Sequence, residues 1–175
     1  MSVAVWLTGL SGSGKSSLAK ELVGRLHGRG VEAALLESDV LRTQVTPFAR
    51  YEEAERDMFY EILADLGAAI VERGRPVIFD ATANRRAYRQ RGRSRIARFA
   101  EVYVSTPLEV CVARDTKGLY RAAREGKATN VPGVQAAYEA PLAPELVISG
   151  SRGTPAEGVS EIVELLERRG WLGRK

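Results

Sequence analysis

A glycine-rich loop near the start of the chain contains the first residues whose types and spacing could do chemistry. It has the form GxxxxGK[ST], and it lies between an apolar strand over Val3–Thr8 and a helix. Glycines let backbone N–H groups surround a phosphate, and a helix that begins near Lys15 adds its positive dipole end. Lys15 can reach the β- and γ-phosphates of a nucleoside triphosphate, and the Ser16 hydroxyl can coordinate Mg²⁺. The predicted nucleotide-binding residues are Gly9, Leu10, Ser11, Gly12, Ser13, Gly14, Lys15, Ser16 and Ser17.

Asp39 is the first candidate for a catalytic residue that acts on the substrate hydroxyl. It comes just after the second apolar strand, where open parallel sheets place their ligands. A carboxylate there can accept a proton from a hydroxyl or hold Mg²⁺ through water, and Arg42 can bind an anionic substrate one helical turn later. The alternative is that Asp39 only caps the following helix.

Asp80 is the second candidate, because it ends the apolar strand that contains Val77, Ile78 and Phe79. Phosphate-loop enzymes often keep a carboxylate near the metal at this place, so we predict Ser16 and Asp80 as metal ligands. Helix capping by Asp80 or Thr82 is the alternative.

Cations are concentrated in two later segments. Arg114 and Lys117 could cover a transferring phosphoryl group when a mobile segment closes, although a solvated charged loop is the alternative. Seven arginines lie between Arg85 and Arg98, and they either form a solvated helix face or contact phosphate or sulfate. A nucleic-acid surface would carry more aromatic residues, and only Tyr88 is interleaved.

Alternating strand and helix patterns must position these residues. The predicted strands are Val3–Thr8, Val31–Leu36, Pro76–Asp80, Phe99–Ser105 and Leu146–Ser149. Helices are predicted from Lys15 to the glycines at 28 and 30, over Tyr51–Arg73, over the arginine-rich segment, and over Pro107–Arg114 and Ala156–Arg169. This alternation predicts an α/β fold in which helices cover both faces of a five-stranded parallel sheet.

Composition and length fit one domain over residues 1–175. The segment 115–144 lacks a sustained period and is too long for an ordinary connection, so we predict a lid there and call it the lid segment. The net charge of +4 suits polyanionic ligands. We expect no membrane span and no signal peptide. We also expect the single cysteine, Cys111, to be a buried free thiol, which is typical of a cytoplasmic protein.

Four blocks of the chain resemble the adenylyl-sulfate kinases, phosphate-loop enzymes of the nucleotide-kinase type. The blocks are Val5–Ser16, Pro107–Cys111, Arg114–Tyr120 and Tyr138–Leu146, and they occur in the family's order. The resemblance implies Mg²⁺-dependent transfer of the ATP γ-phosphate to the 3′-hydroxyl of adenosine 5′-phosphosulfate (APS). It also implies a homodimer, a place in sulfate assimilation, and no membrane or general nucleic-acid partner. The residues that it assigns are Lys15 and Asp39 for catalysis, Arg114 for ATP, and Asp39, Arg42, Arg56, Lys117, Gly118 and Leu119 for the acceptor.

The acceptor side departs from that family's pattern. Val40, Phe59 and Glu61 stand where the family has asparagine, asparagine and arginine, and Val131 stands near its lid phenylalanine. The segment Asp80–Arg86 is more similar to polynucleotide and small-metabolite kinases of the same superfamily. The alternatives are therefore a kinase for another nucleotide, a polynucleotide 5′-hydroxyl or a small metabolite, and a nucleotide-binding switch without a second substrate.

Overall fold

A computed structural model describes residues 2–173 and confirms the α/β fold with a parallel five-stranded sheet. The strands are β1 (Ala4–Thr8), β2 (Ala34–Glu37), β3 (Val77–Asp80), β4 (Phe99–Ser105) and β5 (Leu146–Ser149). Their order across the sheet is β2-β3-β1-β4-β5, and every neighbouring pair is parallel. β4 and β5 have their predicted bounds, whereas β2 begins three residues later than expected.

Helices connect and cover these strands. They are α1 (Lys15–His27), α2 (Ser38–Val45), α3 (Glu53–Glu72), α4 (Arg86–Arg95), α5 (Leu108–Arg114), α6 (Leu119–Arg124) and α7 (Pro155–Arg168). Side chains of β1 alternate between two cores. Val5 and Leu7 pack on the side of α1 and α7, while Ala4 and Trp6 pack on the side of α3 and α4. This alternation follows from the two-residue period of a strand, and it makes β1 fully buried.

The strand order brings the candidate carboxylates to one edge of the sheet. β3 lies between β1 and β2, and Asp80 is in register with Leu7 on one side and with Glu37 on the other. The glycine-rich loop follows β1 and Asp39 follows β2, so Asp80 ends the strand between the two. Parallel strands present all their carboxyl ends at the same edge, where such folds bind ligands.

The apolar spacing in the sequence predicts that Phe59, Ile62, Leu63, Leu66 and Ile70 share the inner face of α3, and this prediction is wrong at two positions. Phe59 and Leu63 are buried as expected, but Ile62 and Leu66 are exposed. The helix instead presents Gly67 to the sheet, where an added Cβ would lie only 2.1 Å from the Cζ atom of Phe79. Because the Phe79 ring occupies that space, the helix approaches the sheet along its smallest residue.

The lid segment contains a helix that the sequence pattern did not predict. Asp115 organises its start, because its carboxylate accepts hydrogen bonds from the backbone N–H groups of Tyr120 and Arg121 at 3.0 and 2.9 Å. Tyr120 and Cys111 then pack with Val131 in a small third core. At six residues α6 is too short to show a helical period in the sequence, which explains why it was missed.

Candidate active site

The glycine-rich loop has the backbone shape that its sequence predicts. Gly14 has φ +106° at the N-terminus of α1, and Gly9 has φ +151°. A Cβ on Gly9 would lie 2.5 Å from the carbonyl oxygen of Val104, so no larger residue fits there. The loop therefore depends on glycine at both ends to turn its N–H groups toward a ligand.

Lys15 lies inside this loop with only 7% of its surface exposed. Its Nζ donates hydrogen bonds to the carbonyl oxygens of Gly9 and Leu10 at 2.8 and 2.7 Å. Burial lowers the pKa of the Lys15 ammonium to about 8, and the nearby charges of Asp80 and Asp39 counteract part of that effect. The lysine is thus a desolvated cation that an incoming polyphosphate would stabilise.

A cavity of about 700 Å³ connects this loop with the lid segment. Thirteen of the residues predicted from the sequence line it: Ser11, Gly12, Gly14, Lys15, Ser16, Ser17, Asp39, Arg42, Arg56, Asp80, Arg114, Lys117 and Leu119. Four of the predicted residues lie outside the lining, namely Gly9, Leu10, Ser13 and Gly118. Gly118 instead begins α6 with φ +65°, and the other three belong to the supporting backbone of the loop.

Asp39 lies inside the first turn of α2 and makes no helix cap. Glu37 occupies the cap position, and Asp39 instead forms an ion pair with Lys117 of the lid segment. Burial alone would lower the pKa of Lys117, but the hydrogen bond and the charge of Asp39 raise it above its ordinary value. This pair joins the first turn of α2 to the lid segment.

Asp80 is buried at the end of β3 and also makes no helix cap, since Arg85 occupies that position of α4. Within residues 2–173 no side chain donates a hydrogen bond to its carboxylate, which lines the cavity together with Ser16. Among the charges that raise the pKa of Lys15, that of Asp80 makes the largest contribution, although burial outweighs it. Asp80 is thus placed between the phosphate loop and Asp39, available to a cation.

The Arg42 guanidinium packs against residues whose supporting role was not predicted from the sequence. Its guanidinium carbon lies 3.9 Å from the centre of the Phe59 ring and 5.0 Å from that of Tyr51. One of its Nη atoms lies 3.3 Å from Oε1 of Glu55, and only 6% of the residue is exposed. An arginine over an aromatic face is recognisable only in three dimensions, so no sequence pattern indicates this role of Phe59.

Arg114 at the end of α5 and Tyr120 of the lid segment both contact the phosphate loop. Arg114 donates to the carbonyl oxygens of Gly12 and Gly150 at 3.1 and 2.8 Å. The Tyr120 hydroxyl donates to the carbonyl oxygen of Ser11 at 2.8 Å, a contact that the sequence did not predict. Both contacts fix the wall of the cavity beside the loop.

The arginine-rich segment 85–98 contributes no residue to the cavity lining, so contact with phosphate or sulfate there, one of its two predicted alternatives, is not favoured. Its arginines form ion pairs instead: Arg85 with Glu53, Arg89 with Glu101, Arg91 with Asp57 and Glu61, Arg93 with Glu101 and Glu145, and Arg95 with Glu61 and Asp65. Six carboxylates on α3, on β4 and before β5 therefore pair with five of the seven arginines of this segment. Glu61 points to α4 through these pairs and does not repel an anion in the cavity.

Comparison with known proteins agrees with the resemblance seen in the sequence. The family model described as adenylylsulphate kinase matches residues 1–149. The structure of the Mycobacterium tuberculosis APS kinase CysC in complex with AMPPNP and APS is 34% identical, with a TM-score of 0.89 over 94% of this chain and 97% of that chain. A hexameric APS kinase from Thiobacillus denitrificans is 26% identical with a TM-score of 0.72, over 99% of this chain and 30% of that longer chain.

A more distant match is the shikimate kinase from Aquifex aeolicus, which is 20% identical with a TM-score of 0.62 and shares the fold. None of the helices within residues 2–173 combines the length and apolar character needed to cross a bilayer. Together with the phosphate loop, the family match identifies an ATP-dependent kinase that phosphorylates a hydroxyl group. The chain belongs to the adenylylsulphate kinase family.

Proposed function

We propose that this kinase transfers the γ-phosphate of ATP to the 3′-hydroxyl of APS and forms 3′-phosphoadenosine 5′-phosphosulfate. The observation that carries the proposal is the fixed anion-binding wall of the cavity, where the buried guanidinium of Arg42 is held by Phe59 and Glu55. An acceptor that carries phosphate and sulfate groups fits such a wall, because a preorganised guanidinium binds oxyanions strongly. The family match over residues 1–149 supports the same acceptor.

On the ATP side, Lys15 and the loop N–H groups would bind the β- and γ-phosphates. The residues fit Mg²⁺, because the Ser16 hydroxyl and the Asp80 carboxylate line the same cavity, and Mg²⁺ commonly takes one or two protein oxygens together with phosphates and waters. The ion would neutralise charge that builds up on the β- and γ-phosphate oxygens. Arg114, held by Gly12 and Gly150, would close this side of the site.

On the acceptor side, Asp39 would accept the proton of the attacking hydroxyl. A bond forms between that oxygen and the γ-phosphorus, the bond from phosphorus to the bridging oxygen breaks, and ADP leaves. Lys117, now paired with Asp39, lies where it can turn toward the transferring phosphoryl group and balance its charge. The lid segment would keep water out of the site during transfer.

A different small anionic acceptor is the second candidate. Val131 contributes to the cavity lining from the lid segment, where it offers no aromatic ring. Phe59 lies behind Arg42 and can donate no hydrogen bond to an acceptor. The missing aromatic ring and hydrogen bond would weaken the binding of APS. They would not weaken the binding of an acceptor that has no adenine to contact them.

A panel assay separates the two candidates. ATP consumption is measured by steady-state kinetics with APS, other nucleotides, nucleosides, sugars, sugar phosphates and 5′-hydroxyl oligonucleotides as acceptors. We expect APS to give turnover clearly above background ATP hydrolysis. Background turnover with APS, together with clear phosphorylation of another hydroxyl compound, would refute the proposed acceptor. The homodimer and the cytoplasmic location stay predictions from the sequence.

A further inference from the structure

Asn84 connects the lid segment to the body of the protein through both ends of its amide. This residue follows β3 and is only 5% exposed. Its Oδ1 accepts a hydrogen bond from Nη1 of Arg56 at 2.9 Å, and its Nδ2 donates to the carbonyl oxygen of Ala137 at 2.9 Å. Its backbone oxygen also accepts from the N–H of Glu139 at 2.7 Å. One buried residue therefore holds α3 and the lid segment at the same time.

Arg56 completes a closed ring of contacts with the lid segment. Its Nη2 donates to the carbonyl oxygen of Asn130 at 2.5 Å, and its Nε donates to that of Tyr51 at 3.0 Å. The stretch 130–137 is thus held at one end by Arg56 and at the other by Asn84. Between those ends it forms a compact turn, in which the N–H groups of Gln135 and Ala136 bond to the carbonyl oxygen of Val131.

Arg56 also lines the cavity, so the ring links the turn to the acceptor site. A guanidinium has five N–H groups, and three of them are used by Tyr51, Asn84 and Asn130. The remaining two can bind an anion only where the ring holds them. Because an asparagine has both an acceptor and a donor, no single-function side chain of the same size can maintain both contacts.

We propose that Asn84 is a positioning residue that holds Arg56 and the turn 130–137 in one arrangement, so that acceptor binding and closure of the lid segment are coupled. The inference rests on the proposed function, which places the acceptor beside Arg56. An anion on Arg56 favours the ring, and the intact ring orients Arg56 for the anion. The two effects are reciprocal, as in any linkage between two binding events.

Two substitutions separate the two ends of the amide. Asn84→Asp retains an acceptor for Arg56 but loses the donor to Ala137, whereas Asn84→Ala loses both contacts. Gln90→Glu is the matched control, because it makes the same amide-to-carboxylate change at an exposed position on α4. Thermal unfolding of each variant is measured first to identify those that fold.

Hydrogen exchange of the ligand-free proteins tests the positioning role without reference to the acceptor. We expect amides at 131–136 to exchange at least about tenfold faster in both Asn84 variants than in the wild type, while the core strands and Gln90→Glu remain unchanged. Unchanged exchange at 131–136 in both variants would overturn the proposal. A uniform increase across the whole chain would also overturn it, because that result means general destabilisation.

Steady-state kinetics with APS tests the coupling. We expect kcat to fall about tenfold or more in both variants, because the lid segment is loosened in both. The KM for APS should rise in both variants, because each breaks the ring, and it should rise more in Asn84→Ala, by about tenfold, where Arg56 is released as well. The KM for ATP should stay near the wild-type value in both. An unchanged KM for APS in both variants would contradict the coupling.

The kinetics with APS test the proposed acceptor, whereas hydrogen exchange tests the role of Asn84 independently. If the wild type does not phosphorylate APS, the proposed acceptor is wrong, and the exchange measurement still decides whether Asn84 positions the turn. If the Asn84 variants do not fold, Arg56→Lys provides the second test, because it loses the Nη2 contact to Asn130. It should then show faster exchange at 131–136, and unchanged exchange would overturn the ring.

Discussion

Lys15 combines two properties that usually exclude each other, a full positive charge and nearly complete burial. The carbonyl oxygens of Gly9 and Leu10 solvate its ammonium group, but burial still lowers its pKa to about 8. A bound triphosphate would add negative charge beside it and raise that pKa again. The affinity for ATP and the protonation of Lys15 are therefore linked.

This linkage predicts a pH dependence of ATP binding. Below about pH 8 Lys15 is already protonated in the free protein, so the Kd for ATP should be flat there. Above that pH the free protein must take up a proton to bind, so the Kd should rise with pH, by up to about tenfold per unit. Calorimetry between pH 7 and 9.5 measures this. Lys15→Ala should bind weakly without an inflection, and a wild-type Kd that stays flat to pH 9.5 would contradict the linkage.

Asp39 is expected to act in the chemical step more than in ATP binding. Asp39→Asn retains the shape and removes the charge, so kcat should fall by about 10²–10⁴-fold while the Kd for ATP changes little. Rapid-quench kinetics and ATP titration measure the two quantities. Asp57→Asn, which lies on α3 outside the cavity lining, is the control. Turnover within twofold of the wild type in a folded Asp39→Asn protein would remove Asp39 from the mechanism.

Among the elements, α4 shows best what the sequence could not reveal. Its arginines are visible in the sequence, but their partners come from α3, from β4 and from the residues before β5, which are distant along the chain. The strands, in contrast, could be predicted because each is a short apolar run. The buried side of α3 could not, because it depends on how closely Gly67 approaches the Phe79 ring.

Arg89 on α4 is expected to stabilise the fold through its buried ion pair with Glu101. It is 2% exposed, and its Nε donates to Oε1 of Glu101 at 2.5 Å. Arg89→Met should lower the free energy of unfolding by about 3 kcal/mol, because it leaves a buried carboxylate with only the longer contact to Arg93. Urea denaturation measures this change. Arg95→Met, at a more exposed pair, should cost less than about 1 kcal/mol, and equal costs for both would contradict the buried ion pair.

At the scale of the whole molecule, the net charge of +4 hides a sharp division. Five arginines of the segment 85–98 form ion pairs away from the cavity. Lys15, Arg42, Arg56 and Lys117 all line one cavity, where Arg42 and Lys117 are paired with Glu55 and Asp39. The sequence could predict the residues of the phosphate loop because that motif is contiguous. It could not predict what holds Arg42 and Arg56 in place, because Phe59, Glu55 and Asn84 act through contacts made only in the folded chain.

Transfer of label from ATP to the acceptor tests the central claim most directly. Wild-type protein is incubated with ATP labelled at the γ-phosphate, Mg²⁺ and APS, and the products are separated, with Lys15→Ala as the control. We expect the label to appear in a 3′-phosphorylated nucleotide that retains the sulfate, and Lys15→Ala to form none of it. Label found only in inorganic phosphate, at the same rate with and without APS, would show that APS is not the acceptor.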